Sequence, residues 1–277
     1  MEHKVLLRAV NISKIFPGVK ALDNVTFELR AGEVHAVVGE NGAGKSTLMH
    51  ILSGVFSPES GSIYLNGRKV KIEDHHHAER LGIATVYQEL SLVEKLTVAE
   101  NIFASRQPTN RLGLIKWQTL YRKTEELIEM LGSKIKPKTV VQNLKPADRQ
   151  MVEIAKALSL RPKILILDEP TSSIGITETE NLFRVIKRLR DEGIGIIYVS
   201  HNLDEVFELA DRITVLRDGK YVGTVERKEA TVQQIIQMMV GRVIERIYGR
   251  KRTSLPKEKI IFVKGNCDSN VDQMVIN

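Results

Sequence analysis

The chain has one cysteine, Cys267, in 277 residues. No disulfide can close within it, and a reducing compartment fits. Aromatic residues make up only 5% of the sequence, which is thin material for the stacking platforms that hold single-stranded nucleic acid. No uncharged apolar run approaches the ~20 residues needed to cross a bilayer. The N-terminus, MEHKVLLRAV, carries charge where a secretory signal needs an apolar stretch. These absences predict a chain that is soluble, or held at a membrane only through a partner.

What is present is an ordinary globular composition, 42% hydrophobic, with Leu, Ile and Val spread along the chain and enough length for a real core. The net charge of +7, from 41 Lys and Arg against 34 Asp and Glu, is compatible with nucleic acid, an anionic membrane face, an anionic small ligand or simply a soluble surface. No full internal repeat is seen.

Patterning predicts strands at Val5 to Val10 and Val25 to Leu29 around a turn at Pro17-Gly18. An apolar run comes next, from Val34 to Val38, without alternation, as for a strand buried on both faces. A helix is predicted from about Lys45. Asn66-Gly67 between Ile63 to Leu65 and Lys69 to Ile72 signals a hairpin. Residues 90 to 160 read as helical. Buried strands then recur at Ile164 to Leu167, Ile194 to Val199 and Ile213 to Leu216, with an amphipathic helix marked by Leu182, Phe183, Ile186 and Leu189. Strands alternating with helices predict a mostly parallel sheet covered by helices. Residues 241 to 277 read as a basic, polar linker, Gly241 to Lys259, followed by a short C-terminal remnant with one candidate strand, Ile260 to Val263, and nothing periodic after it.

Gly39, Glu40, Asn41, Gly42, Ala43, Gly44, Lys45, Ser46 and Thr47 spell G-x-x-x-x-G-K-S, after a buried strand and before a helix, the context this motif requires. Glycines let successive backbone N–H groups curl toward phosphate oxygens, and the helix start adds its positive end. Lys45 is expected to neutralise the β- and γ-phosphates, and Ser46 to offer a hydroxyl to Mg²⁺. The strand Ile164 to Leu167 ends in Asp168-Glu169, where an open α/β sheet binds its ligands. Asp168 is expected to help hold Mg²⁺, and Glu169 to polarise an attacking water. By themselves two acids after a strand are a solvated loop start; the phosphate loop upstream gives them meaning. His201, at the end of Ile196 to Ser200, and Gln88, after Ile83 to Tyr87, are candidates only as members of this set. The run His75-His76-His77 reads as the start of a surface helix rather than a metal site, since adjacent residues face different ways.

Taken together, these residues resemble the ABC-type ATPases, and most closely the ATP-binding subunits of bacterial monosaccharide importers of the ribose, galactose and xylose class. The resemblance covers about residues 4 to 250. It implies an α/β P-loop NTPase cassette in residues 1 to 240, with a mostly parallel core sheet, an antiparallel β subdomain and a helical subdomain at about 90 to 160. It also implies ATP and Mg²⁺ as ligands, Phe16 stacking on adenine, Gln88 touching the metal and the helical section, and His201 as the switch histidine. The stretch Gln150 to Leu158 and Val240-Gly241-Arg242 look like the sugar-importer branch. Implied partners are a second cassette (as a homodimer or a separate chain), a transmembrane permease and, indirectly, a sugar-binding protein, with no nucleic acid. The implied location is cytoplasmic, peripheral on the inner face of the cell membrane. The rival readings are a soluble ABC ATPase acting on ribosome or DNA, and a non-hydrolytic regulatory half.

Three departures from the family pattern stand out. The signature loop, usually LSGGQ-like, reads Leu144-Lys145-Pro146-Ala147-Asp148, so the usual Ser hydroxyl and Gly backbone give way to Lys145 and Ala147. A lysine is a long, strongly hydrated point charge and cannot stand in for a hydroxyl. The position that often carries Asp in the next loop is Gly175. Relatives usually carry two cassettes, whereas here Ile260 to Gly265 resembles the first strand of a second one with no second phosphate loop after it. The last dozen residues look like neither cassette, and the chain is therefore expected to be a shortened product that carries the first cassette only.

Overall fold

The computed structural model describes residues 4–241. Two long antiparallel strands open it, β1 (Val5–Phe16) and β2 (Val19–Arg30), joined at Pro17-Gly18. Both are longer than patterning predicts. Register shifts interrupt the pair between Ala9 and Ile12 and again around Lys14, and Asn11 and Asn24 take φ of 53° and 51°. Such bulges break the two-residue alternation from which strand length is read. Asparagine tolerates that left-handed backbone, and the Asn11 amide is steadied by donating to Thr26 Oγ1 at 3.1 Å. β4 (Ser60–Leu65) and β5 (Arg68–Val70) complete a four-stranded sheet in the order β2-β1-β4-β5. The Asn66-Gly67 turn between them has φ of 48° and 78°, as a primed hairpin turn requires.

The second sheet is the scaffold of the site. It contains β3 (Val34–Val38), β6 (Ile83–Val86), β7 (Ile164–Asp168), β8 (Gly195–Val199), β9 (Arg212–Arg217) and β10 (Lys220–Glu226), in the order β10-β9-β3-β8-β7-β6. All pairings are parallel except β10 on β9. β3, β7 and β8 are buried at every position. Their side chains still divide by the pleat. Ile164 and Ile166 pack with β1, β2 and α1 (Lys45–Leu52), while Leu165 and Leu167 pack with the helices of the other face. Patterning does not predict β10, because an edge strand with no buried residue leaves no hydrophobic alternation to read.

The predicted helical section holds three α-helices, α3 (Val98–Ile102), α4 (Trp117–Met130) and α5 (Pro146–Leu158), separated by stretches at 103–116 and 131–145, the second of which includes a 3-10 turn at Val141–Asn143. Thr97 and Glu100 form a reciprocal capping box at the start of α3. α2 (His75–Arg80) does begin at the histidine run, with Asp74 accepting a hydrogen bond from the His77 amide at 2.7 Å. The remaining helices are α6 (Ile176–Asp191), α7 (Leu203–Leu209) and α8 (Val232–Val240). Of these, only α6 has a counterpart among the predicted elements. The predicted linker beyond Gly241, the candidate strand Ile260 to Val263 and Cys267 lie outside the described residues.

β3 also carries a buried imidazole. His35 Nδ1 lies 2.8 Å from the Glu28 carbonyl and Nε2 2.7 Å from Thr214 Oγ1. A carbonyl can only accept, so Nδ1 carries the proton and Nε2 accepts from Thr214, whose oxygen also contacts Thr224 Oγ1 at 2.6 Å. Burial holds His35 below its ordinary value of 6.5, outweighing the pull of Glu33 at 3.6 Å. Arg212 also lowers it, and pairs with Glu33 at 3.3 Å. A histidine whose folded value is depressed contributes its stability above the unfolded value and loses it as pH falls below. As pH falls below 6.5 the urea midpoint should therefore fall, with His35 accounting for at most about 1.4 kcal/mol per pH unit. His35→Gln should flatten that slope; equal slopes in the two proteins would refute the assignment.

Candidate functional site

β3 delivers the chain to Gly39, and two close approaches shape the loop that begins there. A Cβ on Gly39 would lie 2.3 Å from the Leu216 carbonyl oxygen, and one on Gly44 would lie 2.6 Å from the Ala21 carbonyl oxygen. Only glycine fits either place. Gly44 has φ 97° and turns the loop into α1. The buried Lys45 folds back over the loop, its ammonium donating to the Gly39 and Glu40 carbonyls at 2.8 and 3.1 Å. Burial lowers its pKa, against the opposing charges of Glu169 and Asp168.

The two carboxylates after β7 differ in environment. Asp168 is buried, 3% exposed. Burial raises its carboxyl above the ordinary range, against the hydrogen bond from Ser46. Glu169 comes next at φ 48°, a left-handed backbone that costs a non-glycine residue about 1–3 kcal/mol. Its amide donates to the Val199 carbonyl at 2.9 Å, which ties it to the end of β8. Two residues past Val199 comes His201, whose Nδ1 lies 3.0 Å from Glu169 Oε1. The carboxylate accepts, so Nδ1 donates and Nε2 is the second polar atom of the ring.

One open cleft of about 880 Å³ gathers Phe16, the whole loop from Gly39 through Asn41 and Gly42 to Ser46 and Thr47, and Gln88, Glu169 and His201. Residues 16, 88, 169 and 201, scattered along the sequence, thus share one cavity with the phosphate loop. Asp168 is the exception: it is buried and is not among the residues that line the cleft. Phe16 is braced edge-on by Phe56, with ring centroids 5.3 Å apart, and the Lys14 ammonium lies 5.5 Å from its ring. Val19, Ala21 and Met239 also line the cleft. No motif marks them in the sequence.

The ends of the sheet are held by a residue that sequence reasoning missed. Glu205, on α7, accepts from Tyr198 Oη at 2.7 Å, Ser200 Oγ at 3.1 Å, Asn202 Nδ2 at 3.2 Å and Thr171 Oγ1 at 2.9 Å. It therefore joins the loop after Glu169 to the loop that carries His201. Burial, then the Glu205 charge, hold the Tyr198 phenol above its ordinary range, so it stays a donor.

An all-oxygen donor set of hydroxyl and carboxylate suits Mg²⁺, which keeps several waters and completes its shell with substrate phosphates rather than a protein cage. Ser46, which lines the cleft, and the buried Asp168 at the end of β7 fit that description. Among the described residues no cluster of three His, Cys, Asp or Glu side chains could hold a metal alone.

Fold and site together define an α/β P-loop cassette with a mostly parallel core sheet, an antiparallel sheet and a helical section. Residues 22–172 match the model of the family described as ABC transporter, and the chain belongs to that family. It is 50% identical over 260 residues to "Ribose import ATP-binding protein RbsA 1" of Rubrobacter xylanophilus, covering 94% of this chain and 52% of that protein. It is 51% identical over 261 residues to "Putative ribose/galactose/methyl galactoside import ATP-binding protein 1" of Agrobacterium fabrum, covering 94% and 51%. The chain thus spans about half the length of the curated relatives it matches. Among solved structures, the ATP-binding cassette MJ1267 of an ABC transporter superposes with a TM-score of 0.73 at 25% identity, over 84% of this chain and 98% of that one. The bacterial ABC transporter cassette MJ0796, in its dimeric structure, shares the fold at a TM-score of 0.72 and 24% identity, over 80% and 99%.

Removing Glu205 should leave the fully buried Tyr198 hydroxyl without an acceptor. Glu205→Ala is expected to cost about 1–3 kcal/mol in urea unfolding. Tyr198→Phe in that background should recover part of the loss in a double-mutant cycle. Strict additivity of the two changes would contradict the pairing.

Proposed function

We propose that this chain is the ATP-binding and hydrolysing cassette that powers import of a monosaccharide through a membrane permease. The observation that carries the reading is the Glu169–His201 pair, 3.0 Å apart, in the same cleft as the phosphate loop. The relatives' names, which speak of ribose and of ribose, galactose or methyl galactoside import, support the choice of substrate class.

In this reading the loop amides from Gly42 to Ser46 and the Lys45 ammonium grip the β- and γ-phosphates, and Phe16 stacks on the base. Asn41 and Thr47 complete the cradle. Ser46, Asp168 and Gln88 hold Mg²⁺, which when bound neutralises charge on the phosphate oxygens. Glu169 takes the proton of the attacking water. As water oxygen bonds to the γ-phosphorus, the bond to the β-bridging oxygen breaks and ADP leaves. His201, donating through Nδ1, keeps the Glu169 carboxylate aligned. Fixed donors aimed at the developing charge supply most of the acceleration in such a site.

The proposed assembly pairs two cassettes, each closing the other's site, against a permease fed by a sugar-binding protein, with no nucleic acid involved. Among the described residues no helix is long and apolar enough to cross a membrane, and the reading puts the cassette on the cytoplasmic face. In this reading residues 1–240 are the cassette, and 241–277 are a basic linker and a short C-terminal remnant. Lys145 is an exposed residue that caps α5 without a side-chain hydrogen bond. Set against a partner's triphosphate, it and Ala147 lack the hydroxyl and the glycine of the usual signature. Self-pairing is therefore unproductive, and a partner with a complete signature is required.

Two measurements test this. Lys45→Ala should abolish tight MgATP binding, while Glu169→Gln should retain binding and lose about a hundredfold or more in hydrolysis; undiminished turnover in the latter would remove Glu169 from its role. The unmodified chain alone should turn over slowly, and Lys145→Ser with Ala147→Gly should raise its rate by at least about tenfold. A chain as fast alone as with permease and a second cassette would refute the asymmetry.

A further inference from the structure

The last described helix reaches the cleft at one residue. Met239, on α8, lines the same cavity as Phe16, Val19 and the phosphate loop, yet it belongs to no phosphate-binding motif. Its position is set by a short chain of contacts that starts under the loop itself. Gly39 passes so close to the Leu216 carbonyl that no side chain fits between them. The next residue, Arg217, donates from its guanidinium to the Met238 carbonyl at 3.0 Å. The helix then ends at Gly241, φ 73°, where a Cβ would strike the same guanidinium at 2.5 Å. On the neighbouring side the Asp218-Gly219 turn abuts β2. The Asp23 amide donates to the Gly219 carbonyl at 2.8 Å, and a Cβ on Gly219 would lie 2.8 Å from the Ala21 oxygen. The C-terminal turn of α8 is thus pinned to the end of β9 that supports the phosphate loop, and β9 runs on into the turn that supports Ala21.

The chemistry of this wall is apolar and adaptable. Ile235 of α8 is fully buried, and Met238 and Met239 pack partly buried against the cluster around it. A thioether on three rotatable bonds moulds to an aromatic surface and gains from sulfur–ring contact. Val19, by contrast, is 61% exposed and offers little enclosure. The phosphates are served by amides, Lys45 and Ser46, so an apolar, polarisable side chain in the same cleft suits the one part of a nucleotide that is flat and aromatic.

We infer that Met239 is a second nucleobase-contacting residue, packing its thioether on the purine whose other contact is Phe16, so that base occupancy clamps the end of α8. The inference rests on the nucleotide-binding reading above. It assigns to α8, the helix that leads into residues 242–277, a direct sense of whether the base is present.

The full chain labelled with methyl-¹³C methionine carries seven methionines, and the Met239 signal is identified by its loss in Met239→Leu. On titration with MgATP the Met239 methyl should move upfield under the purine ring current. Mg-tripolyphosphate, which carries the phosphates without a base, should leave it nearly in place. Met239→Ala should weaken ATP binding by about two- to tenfold, with tripolyphosphate affinity unchanged and Met239→Leu recovering most of the loss. ATP that binds and shifts other signals without moving the Met239 methyl, or an equal shift from tripolyphosphate, overturns this inference alone. Absence of any ATP binding, with Lys45→Ala indistinguishable from the unmodified chain, overturns the nucleotide reading and this inference with it.

Discussion

The phosphate loop must pass against backbone at two points, with no space for a β-carbon at either. At Gly39 the obstacle is the Leu216 carbonyl of β9, and at Gly44 it is the Ala21 carbonyl of β2. The loop is thereby wedged between the core sheet and the antiparallel sheet, and its curvature is set by both. Every other feature of the site is referred to that wedge. Lys45 can cross the loop because the loop is tight, and α8 is pinned to the residue next after Leu216.

The side of the cleft that carries Glu169 and His201 has a different basis. Adjacent parallel strands end level with each other, so β7 and β8 present Glu169 and His201 to the same edge. The left-handed backbone at Glu169 is unfavourable in isolation and is maintained by the hydrogen bond its backbone N–H donates to the Val199 carbonyl. Glu205 completes the brace by accepting from Tyr198 of β8 and from three donors on the two loops. The pair is therefore preorganised by hydrogen bonds from three elements, which is the condition under which electrostatic stabilisation is effective.

Much of this is readable along the chain. The buried strands β3, β7 and β8 appear as unbroken apolar runs, the Asn66-Gly67 turn as its own dipeptide, and the phosphate loop as a motif bounded by a strand and a helix. The full length of β1 and β2 is not readable, because bulges at Asn11 and Asn24 shift the alternation. Nor is β10, an edge strand that buries nothing. The position of α5 shows a subtler case. Its apolar spacing is legible from Met151 onward, yet the helix starts at Pro146, so Lys145 becomes a cap and the altered signature sits at a helix start.

The sequence by itself determined the types of group available at the site: a glycine loop with its lysine and serine, two acids after an apolar strand, a histidine after another, and an aromatic near the first turn. These are local facts, carried by residue identity and short-range spacing. Only the tertiary structure decided that Asp168 is buried while Glu169 lines the cleft, that Glu205 binds the two loops together, and that Met239 faces the same cavity as Phe16. Those are contacts between residues tens to hundreds of positions apart, and they arise from strand order and close backbone approach, which no local pattern encodes.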